Sequence, residues 1–246
     1  MGKIPESQGL KFRIQRLLNT HFIMHIIFDY DGTLADSSQG ILQCLKYTLS
    51  KFSILPIREL GPSIIGPPLR ETLRNLCPAS DDSLIDLLVD TFKDNYDSHG
   101  FMLSQPFPGI NSMLAELHDS GYILHIATNK RSLPTMRSLE YLNWRHFFTE
   151  IVSVDSISPA FNSKASMLAH ILDKCKAPNF TFGYIGDRLD DYRAARAVNI
   201  SYLMVRWGFD ETTQAKSMSS GFTYLEKPCA SEVIDYFFPE QQQAQY

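Results

Sequence analysis

Cysteine is scarce in this chain: Cys44, Cys77, Cys175 and Cys229 are the whole complement, and no two stand at C-x-x-C spacing. A disulfide framework and a cysteine-built zinc site are therefore not expected, and the thiols read as idle or buried groups in a reducing cytoplasm. Long apolar runs are missing too. No stretch reaches the roughly 18 residues of a membrane span, and the N-terminus lacks the continuous apolar core of a secretory signal. Nor is there an excess of positive charge: 23 Lys and Arg stand against 27 Asp and Glu, a formal net charge of -4. A binder of nucleic-acid phosphates needs the opposite balance. Neither nucleic acid nor membrane is an expected partner.

What is present is ordinary for a globular chain, with 44% hydrophobic and 20% charged residues. Its 246 residues suffice for one full-sized core plus an insertion, or for two modest domains. Residues 1–23 stand apart. They carry Lys3, Lys11, Arg13 and Arg16 against Glu6, with Leu10, Ile14, Leu17 and Leu18 on one helical face. That is the look of an organelle-targeting peptide, but a loosely attached, disordered extension is the simpler reading. The polar tail over 241–246 is expected to be disordered as well.

Short apolar runs between these ends read as buried strands. They are His25-Ile26-Ile27-Phe28, Tyr122 to Ala127, Glu150 to Val154, Phe180 to Ile185, and Ile200 to Val205. Helical spacing alternates with them, as in Ile110, Met113, Leu114 and Leu117, or Met167, Leu168, Ile171 and Leu172. The alternation predicts an α/β fold with a doubly wound parallel sheet. One stretch departs from it. Residues 37–105 show helical stripes, Ile41-Leu45-Leu49-Phe52 and Leu84-Leu88-Phe92-Tyr96, and no strand. They predict an inserted α-helical domain, 37–105, with 24–36 and 106–240 forming the core. Pro106-Phe107-Pro108-Gly109 serves as the return hinge.

Three of the strands end on polar residues: Asp29, Thr128 and Asp187. Ligands of an open parallel sheet bind at the carboxyl ends of its strands, so these groups can meet. In Asp29-Tyr30-Asp31-Gly32 two carboxylates stand two residues apart and can serve a hard cation. A calcium loop of the EF-hand type is excluded, because the glycine is fourth rather than sixth. Asp187 and Asp191 add two more acids, although a helix start tolerates acids anyway. Such a cluster repels itself without a cation, and magnesium fits oxygen ligands that also leave room for water and phosphate. Lys164, at the start of a helix, can offset anionic charge or be a plain surface lysine. Thr128 and Asn129 can donate to phosphoryl oxygens.

The ordered set Phe28-Asp29-Tyr30-Asp31-Gly32-Thr33-Leu34, Thr128-Asn129-Lys130, Lys164, then Gly186-Asp187 with Asp191 resembles the haloacid dehalogenase (HAD) superfamily. The resemblance runs from about Met24 to Phe237 and is nearest to phosphoglycolate-phosphatase-like members, which carry a helical cap. Ile65-Gly66-Pro67-Pro68-Leu69, Pro108-Gly109 and Val205-Arg206-Trp207-Gly208 are similar to that subgroup. Two departures are visible. Arg188 stands where a small hydroxyl residue is usual, and Lys164 lacks the usual following proline.

The resemblance implies a Rossmann-like core, a magnesium-dependent phosphatase of a small phosphorylated metabolite, and an Mg2+ cofactor. It makes Asp29 the nucleophile and a metal ligand. Asp31 becomes the general acid and base, with its main-chain carbonyl on the metal. Thr128 and Lys164 hold the phosphoryl group; Asp187 binds the metal and Asp191 supports it. Asn129 is expected at the substrate, as are Gly66 and Arg70 of the cap. A sugar phosphomutase of the β-phosphoglucomutase type is the alternative, and a non-catalytic binding module on the same fold is a third reading. A cytoplasmic monomer or homodimer is expected.

Overall fold

The computed structural model describes residues 23–175, 180–209 and 222–239. The extension, apart from Ile23, and the tail lie outside the described residues. The chain opens with β1 (Ile23–Phe28), β2 (Ala35–Asp36), α1 (Ser38–Lys51), α2 (Leu69–Leu76), α3 (Asp82–Ser98) and β3 (Gln105–Pro106). It continues through α4 (Ile110–Asp119), β4 (Ile123–Thr128), α5 (Ser132–Tyr141), β5 (Phe148–Ser153) and α6 (Lys164–Lys174). It closes with β6 (Phe180–Gly186), α7 (Leu189–Ala197), β7 (Ser201–Val205), β8 (Tyr224–Leu225) and α8 (Ala230–Phe237).

The main sheet has six strands in the order β5-β4-β1-β6-β7-β8. Every neighbouring pair is parallel. The chain runs outward from β1 to β5, then returns to β6 on the other side of β1. The order therefore reverses between β1 and β6, and a crevice opens there beyond the strand ends.

The period of two along β1 explains why the sheet is covered on both faces. Met24, Ile26 and Phe28 pack in one cluster with Met113, Leu114 and Leu117 of α4 and Val233 of α8. Ile27 points the other way, against Met167, Leu168 and Ile171 of α6 and Ala194 and Ala195 of α7. Full burial of one such aliphatic side chain stabilises by about 1.5–3 kcal/mol. The inserted helices keep a core of their own, built from Leu45, Leu49, Leu73, Leu76, Ile85, Leu88 and Phe92. The insertion leaves and re-enters the core through a two-stranded antiparallel hinge, in which Ala35 faces Pro106 and Asp36 faces Gln105. Asp81 caps α3 by accepting from the Leu84 N–H at 2.8 Å, which replaces one of the orphan contacts of a helix start. Among the described residues, no helix is long and apolar enough to cross a membrane.

Candidate active site

Asp29 follows directly on β1, and its N–H continues the ladder to the Ile185 carbonyl of β6 at 2.9 Å. The chain then folds into a tight turn. The Leu34 and Ala35 N–H groups both donate to the Tyr30 carbonyl, at 3.0 and 3.1 Å. Gly32 lies at φ 85°, and a Cβ there would sit 2.4 Å from Asp187 Oδ2. Only glycine lets this loop approach the end of β6 so closely.

Asp29, Asp187 and Asp191 are all buried, and each can place a carboxylate oxygen within 4.8 Å of the others. Lys164 opens α6, whose start is fixed by a Ser163–Ser166 capping box. Its ammonium lies 2.9 Å from Asp29 Oδ2 and 2.7 Å from Asp191 Oδ1. Both oxygens of Asp191 have partners: Oδ1 also accepts from the Tyr184 hydroxyl at 2.9 Å, and Oδ2 from the Arg188 N–H at 3.0 Å. Asp187 Oδ2 accepts from the Phe209 N–H at 2.7 Å. Burial, against the pull of Lys164, pushes Asp29 up to about 6. Burial and the neighbouring Asp191 and Asp29 hold Asp187 well above the usual carboxylate range. Lys164 is disfavoured as a cation by burial, but the Asp191 and Asp29 carboxylates outweigh this and raise its pKa.

Lys164 thus pairs with two of the three buried acids, Asp29 and Asp191. Asp29 Oδ1 is buried with no hydrogen-bond partner among the described residues. An unpaired carboxylate oxygen beside a second destabilised carboxylate is what a hard divalent cation would relieve. Asp29 and Asp187 fit such an ion, with Asp191 acting mainly by holding Lys164.

A second cluster lies where the cap meets the core, around a cleft of about 430 Å³ lined by Asp31, Asn129, Lys130, Gly66, Arg70 and Tyr96 among others. Thr128, at the tip of β4, accepts from the Lys130 N–H at 3.2 Å. Lys130 turns back to Asp31 Oδ1 at 2.9 Å and to the Tyr96 hydroxyl at 2.6 Å. Burial opposes its charge, but Asp31 and the two tyrosines beside it raise its pKa above the usual lysine value. Asn129 Nδ2 donates to the Gly66 carbonyl at 2.9 Å, and Arg188 donates to the Ile65 carbonyl at 2.7 Å. Gly66 lies at φ 128°, and a Cβ there would meet the Arg188 side chain at 2.5 Å. Arg131 spans both oxygens of Asp97.

The fold therefore gathers Asp29, Lys164, Asp187 and Asp191 in one buried group, with Thr128 at the neighbouring strand tip. The Asp31 side chain is not in that group; it faces Lys130 and the cleft. Asn129 and Gly66 meet each other across the seam. Arg70 is on the cleft wall, but its guanidinium is engaged by Asp86 and Asp82 of α3 and is half exposed. Sequence reasoning missed the roles of Lys130, Tyr96 and Tyr184. Lys130 sat inside the matched Thr128-Asn129-Lys130 segment, the one signal that could have found it. Tyr96 was legible only as the end of an apolar stripe.

The comparisons agree with this geometry. The sequence profile of the haloacid dehalogenase-like hydrolases matches residues 26–205. The tyrosine-protein kinase PtkA of Mycobacterium tuberculosis (strain ATCC 25618 / H37Rv) is 30% identical over 187 residues, 75% of this chain. The match spans only 62% of PtkA's own length. The phosphoglycolate phosphatase of Mesorhizobium japonicum is 26% identical over 196 residues, covering 76% of this chain and 84% of that protein. Among solved structures, the haloacid dehalogenase-like hydrolase SP0104 of Streptococcus pneumoniae superposes with a TM-score of 0.72 at 29% identity, covering 87% of this chain and 98% of its own. With the strand-end acids, the paired lysine and the inserted helices all in their places along a profile that covers most of the sequence, the chain belongs to the haloacid dehalogenase-like hydrolase family.

Proposed function

We propose that the chain is a magnesium-dependent phosphatase of a small phosphorylated metabolite, acting through an aspartyl-phosphate on Asp29. The observation that carries this reading is the buried Asp29, with one oxygen on Lys164 and the other unpartnered, beside Asp31 on the cleft wall. The phosphatase names of relatives such as the Mesorhizobium japonicum enzyme support it.

The residues can divide the work as follows. An Asp29 oxygen attacks phosphorus and the bond to the leaving oxygen breaks, which splits one hard displacement into two. Protonated Asp31 gives its proton to the departing alkoxide, then as carboxylate takes one from the water that cleaves the Asp29–phosphorus bond. Lys164 and the Thr128 hydroxyl stabilise the equatorial oxygens of the transferring group. Mg2+, when bound by Asp29 and Asp187, supplies further charge neutralisation on those oxygens.

A broad phosphate-release screen of phosphorylated metabolites with Mg2+ tests the reading, and failure to release phosphate from any of them rejects it. Arg70 is the proposed reader of an anionic leaving group. Repeating the screen with Arg70→Ala should raise KM for carboxylate-bearing substrates more than for p-nitrophenyl phosphate, and equal effects would reject that role.

A second reading follows from the resemblance to PtkA: transfer of a phosphoryl group from a nucleotide to tyrosine. Label from γ-labelled ATP appearing on protein tyrosine, rather than as free phosphate, would favour it. Label passing to a sugar phosphate would favour the mutase. A cytoplasmic monomer or homodimer without nucleic-acid or membrane partners completes the proposal, in keeping with the slight net negative charge.

A further inference from the structure

Lys130 has no part in the steps above, yet it is the most heavily engaged cation at the seam. Its side chain is 4% exposed. Its ammonium donates to Asp31 Oδ1 and to the Tyr96 hydroxyl, and it lies 4.6 Å from the centroid of the Tyr96 ring and 5.3 Å from that of Tyr30. Asp31 and Lys130 come from the core. Tyr96 comes from α3 of the cap, where its ring stacks on Phe92 with centroids 5.3 Å apart. The hydroxyl is thus the polar tip of an otherwise apolar cap stripe, aimed at the lysine that contacts Asp31.

We infer that Lys130 is the positioning residue for Asp31, and that Tyr96 makes this positioning depend on the cap being seated on the core. The inference rests on the phosphatase reading and on Asp31 as its general acid. A carboxyl group can rotate about its last bond, and in most orientations its proton misses the leaving oxygen. An ammonium N–H bound to one oxygen fixes the plane of the group and leaves the second oxygen to carry the proton. In the first half-reaction an Asp29 oxygen bonds to phosphorus, the bond from phosphorus to the leaving oxygen breaks, and the Asp31 proton passes to the leaving oxygen. In the second, the same Asp31 oxygen takes a proton from water as water's oxygen bonds to phosphorus and the bond from phosphorus to Asp29 breaks, releasing the Asp29 carboxylate. Lys130 keeps contact with the other oxygen throughout and exchanges no proton. With the cap displaced, the ammonium would lose its 2.6 Å anchor to Tyr96, and the acid would be held less firmly.

A merely structural role for Lys130 would lower turnover of every substrate alike. A positioning role has a different signature, because only poor leaving groups need the proton. The test compares kcat/KM for p-nitrophenyl phosphate and phenyl phosphate with Mg2+ in wild type, Tyr96→Phe and Lys130→Met, with melting temperatures as folding controls. General acid catalysis is worth about 10²–10⁴-fold, so Lys130→Met should widen the ratio of the two substrates by ~30-fold or more. Tyr96→Phe, which removes one oxygen and keeps the ring, should widen it by about 5-fold. Equal proportional losses on both esters in Tyr96→Phe would overturn the inference while leaving the phosphatase reading intact. A wild type that hydrolyses neither ester would remove both.

Discussion

Among the described residues, two lysines face carboxylates in buried positions, and their surroundings differ. Lys164 is held by residues of the core: Asp29 follows directly on β1, Asp191 belongs to α7, and the lysine opens α6. Lys130 is shared, with Asp31 on the core side and Tyr96 on the cap side. The first arrangement is fixed by the sheet and exists whatever the cap does. The second is complete only when two separately packed units meet. On the proposed reading, the difference separates the chemistry of phosphoryl transfer, placed at strand ends, from its control, placed at a seam.

The comparison is broken most severely by Lys164→Met. Both acids would stay buried without their cation, and leaving a buried partner unpaired costs about 3–5 kcal/mol. Turnover should fall by ~10²–10³-fold as one oxyanion-stabilising group is lost. A melting scan and steady-state kinetics check the two losses. A variant with near-normal stability would show that the Lys164 ion pairs contribute little there.

Removal of divalent metal comes next. EDTA should abolish turnover and lower the melting temperature, with Mg2+ restoring both, because an ion that binds only the folded state stabilises by mass action. Asp187→Asn should show little Mg2+-dependent rise in melting temperature, measured by calorimetry. A full rise in that variant would place the ion elsewhere.

The seam is probed more gently by Gly66→Ala. The new methyl group meets the Arg188 side chain at 2.5 Å and requires a left-handed backbone, a strain of order 1–3 kcal/mol. The Arg188 tip can shift, so the expected outcome is a KM raised by about 10-fold and core stability nearly unchanged. An unchanged KM would detach this contact from substrate closure.

The smallest effect lies away from both lysines. His25 and His125 hydrogen-bond to each other at 2.8 Å inside the sheet. Burial lowers His25 to about 4; burial, with His25 beside it, lowers His125 to about 3. Between those values and the unfolded value near 6.5, the unfolded chain binds more protons. The histidine contribution to stability should therefore be level above about pH 6.5 and fall as pH drops below it, by up to ~1.4 kcal/mol per pH unit for each histidine, against the opposite drift from the raised carboxyls of Asp29 and Asp187. Thermal melts from pH 7.5 to 4.5 of the wild type and of His25→Phe with His125→Leu check this: the wild type should lose stability relative to the variant as pH falls below about 6.5.

The core cluster was largely legible because a parallel sheet brings strand ends together whatever their separation in sequence. Asp29, Thr128 and Asp187 each close an apolar run, and that is a local signal. The seam was not legible in the same way. Tyr96 and Lys130 meet only because α3 packs beside the β4 tip, and no periodicity records such a contact. Arg188 stood out as a departure from the family pattern; its reach to the Ile65 carbonyl gives that departure a physical place. Helix α5 went unread because Pro134 sits in its first turn, a position that tolerates proline although the residue reads as a breaker. Strand β8 has two residues, too few to carry a pattern.

The central claim is that Asp29 forms a covalent bond to phosphorus. Rapid-quench mixing with 32P-labelled substrate and Mg2+, followed by acid trapping and peptide mapping, tests it directly. The account predicts transient label on the peptide containing Asp29, sensitive to hydroxylamine, and none in Asp29→Asn, whose phosphate release should drop by at least ~10³-fold. Normal phosphate release by Asp29→Asn, or label that maps to another residue, would contradict it.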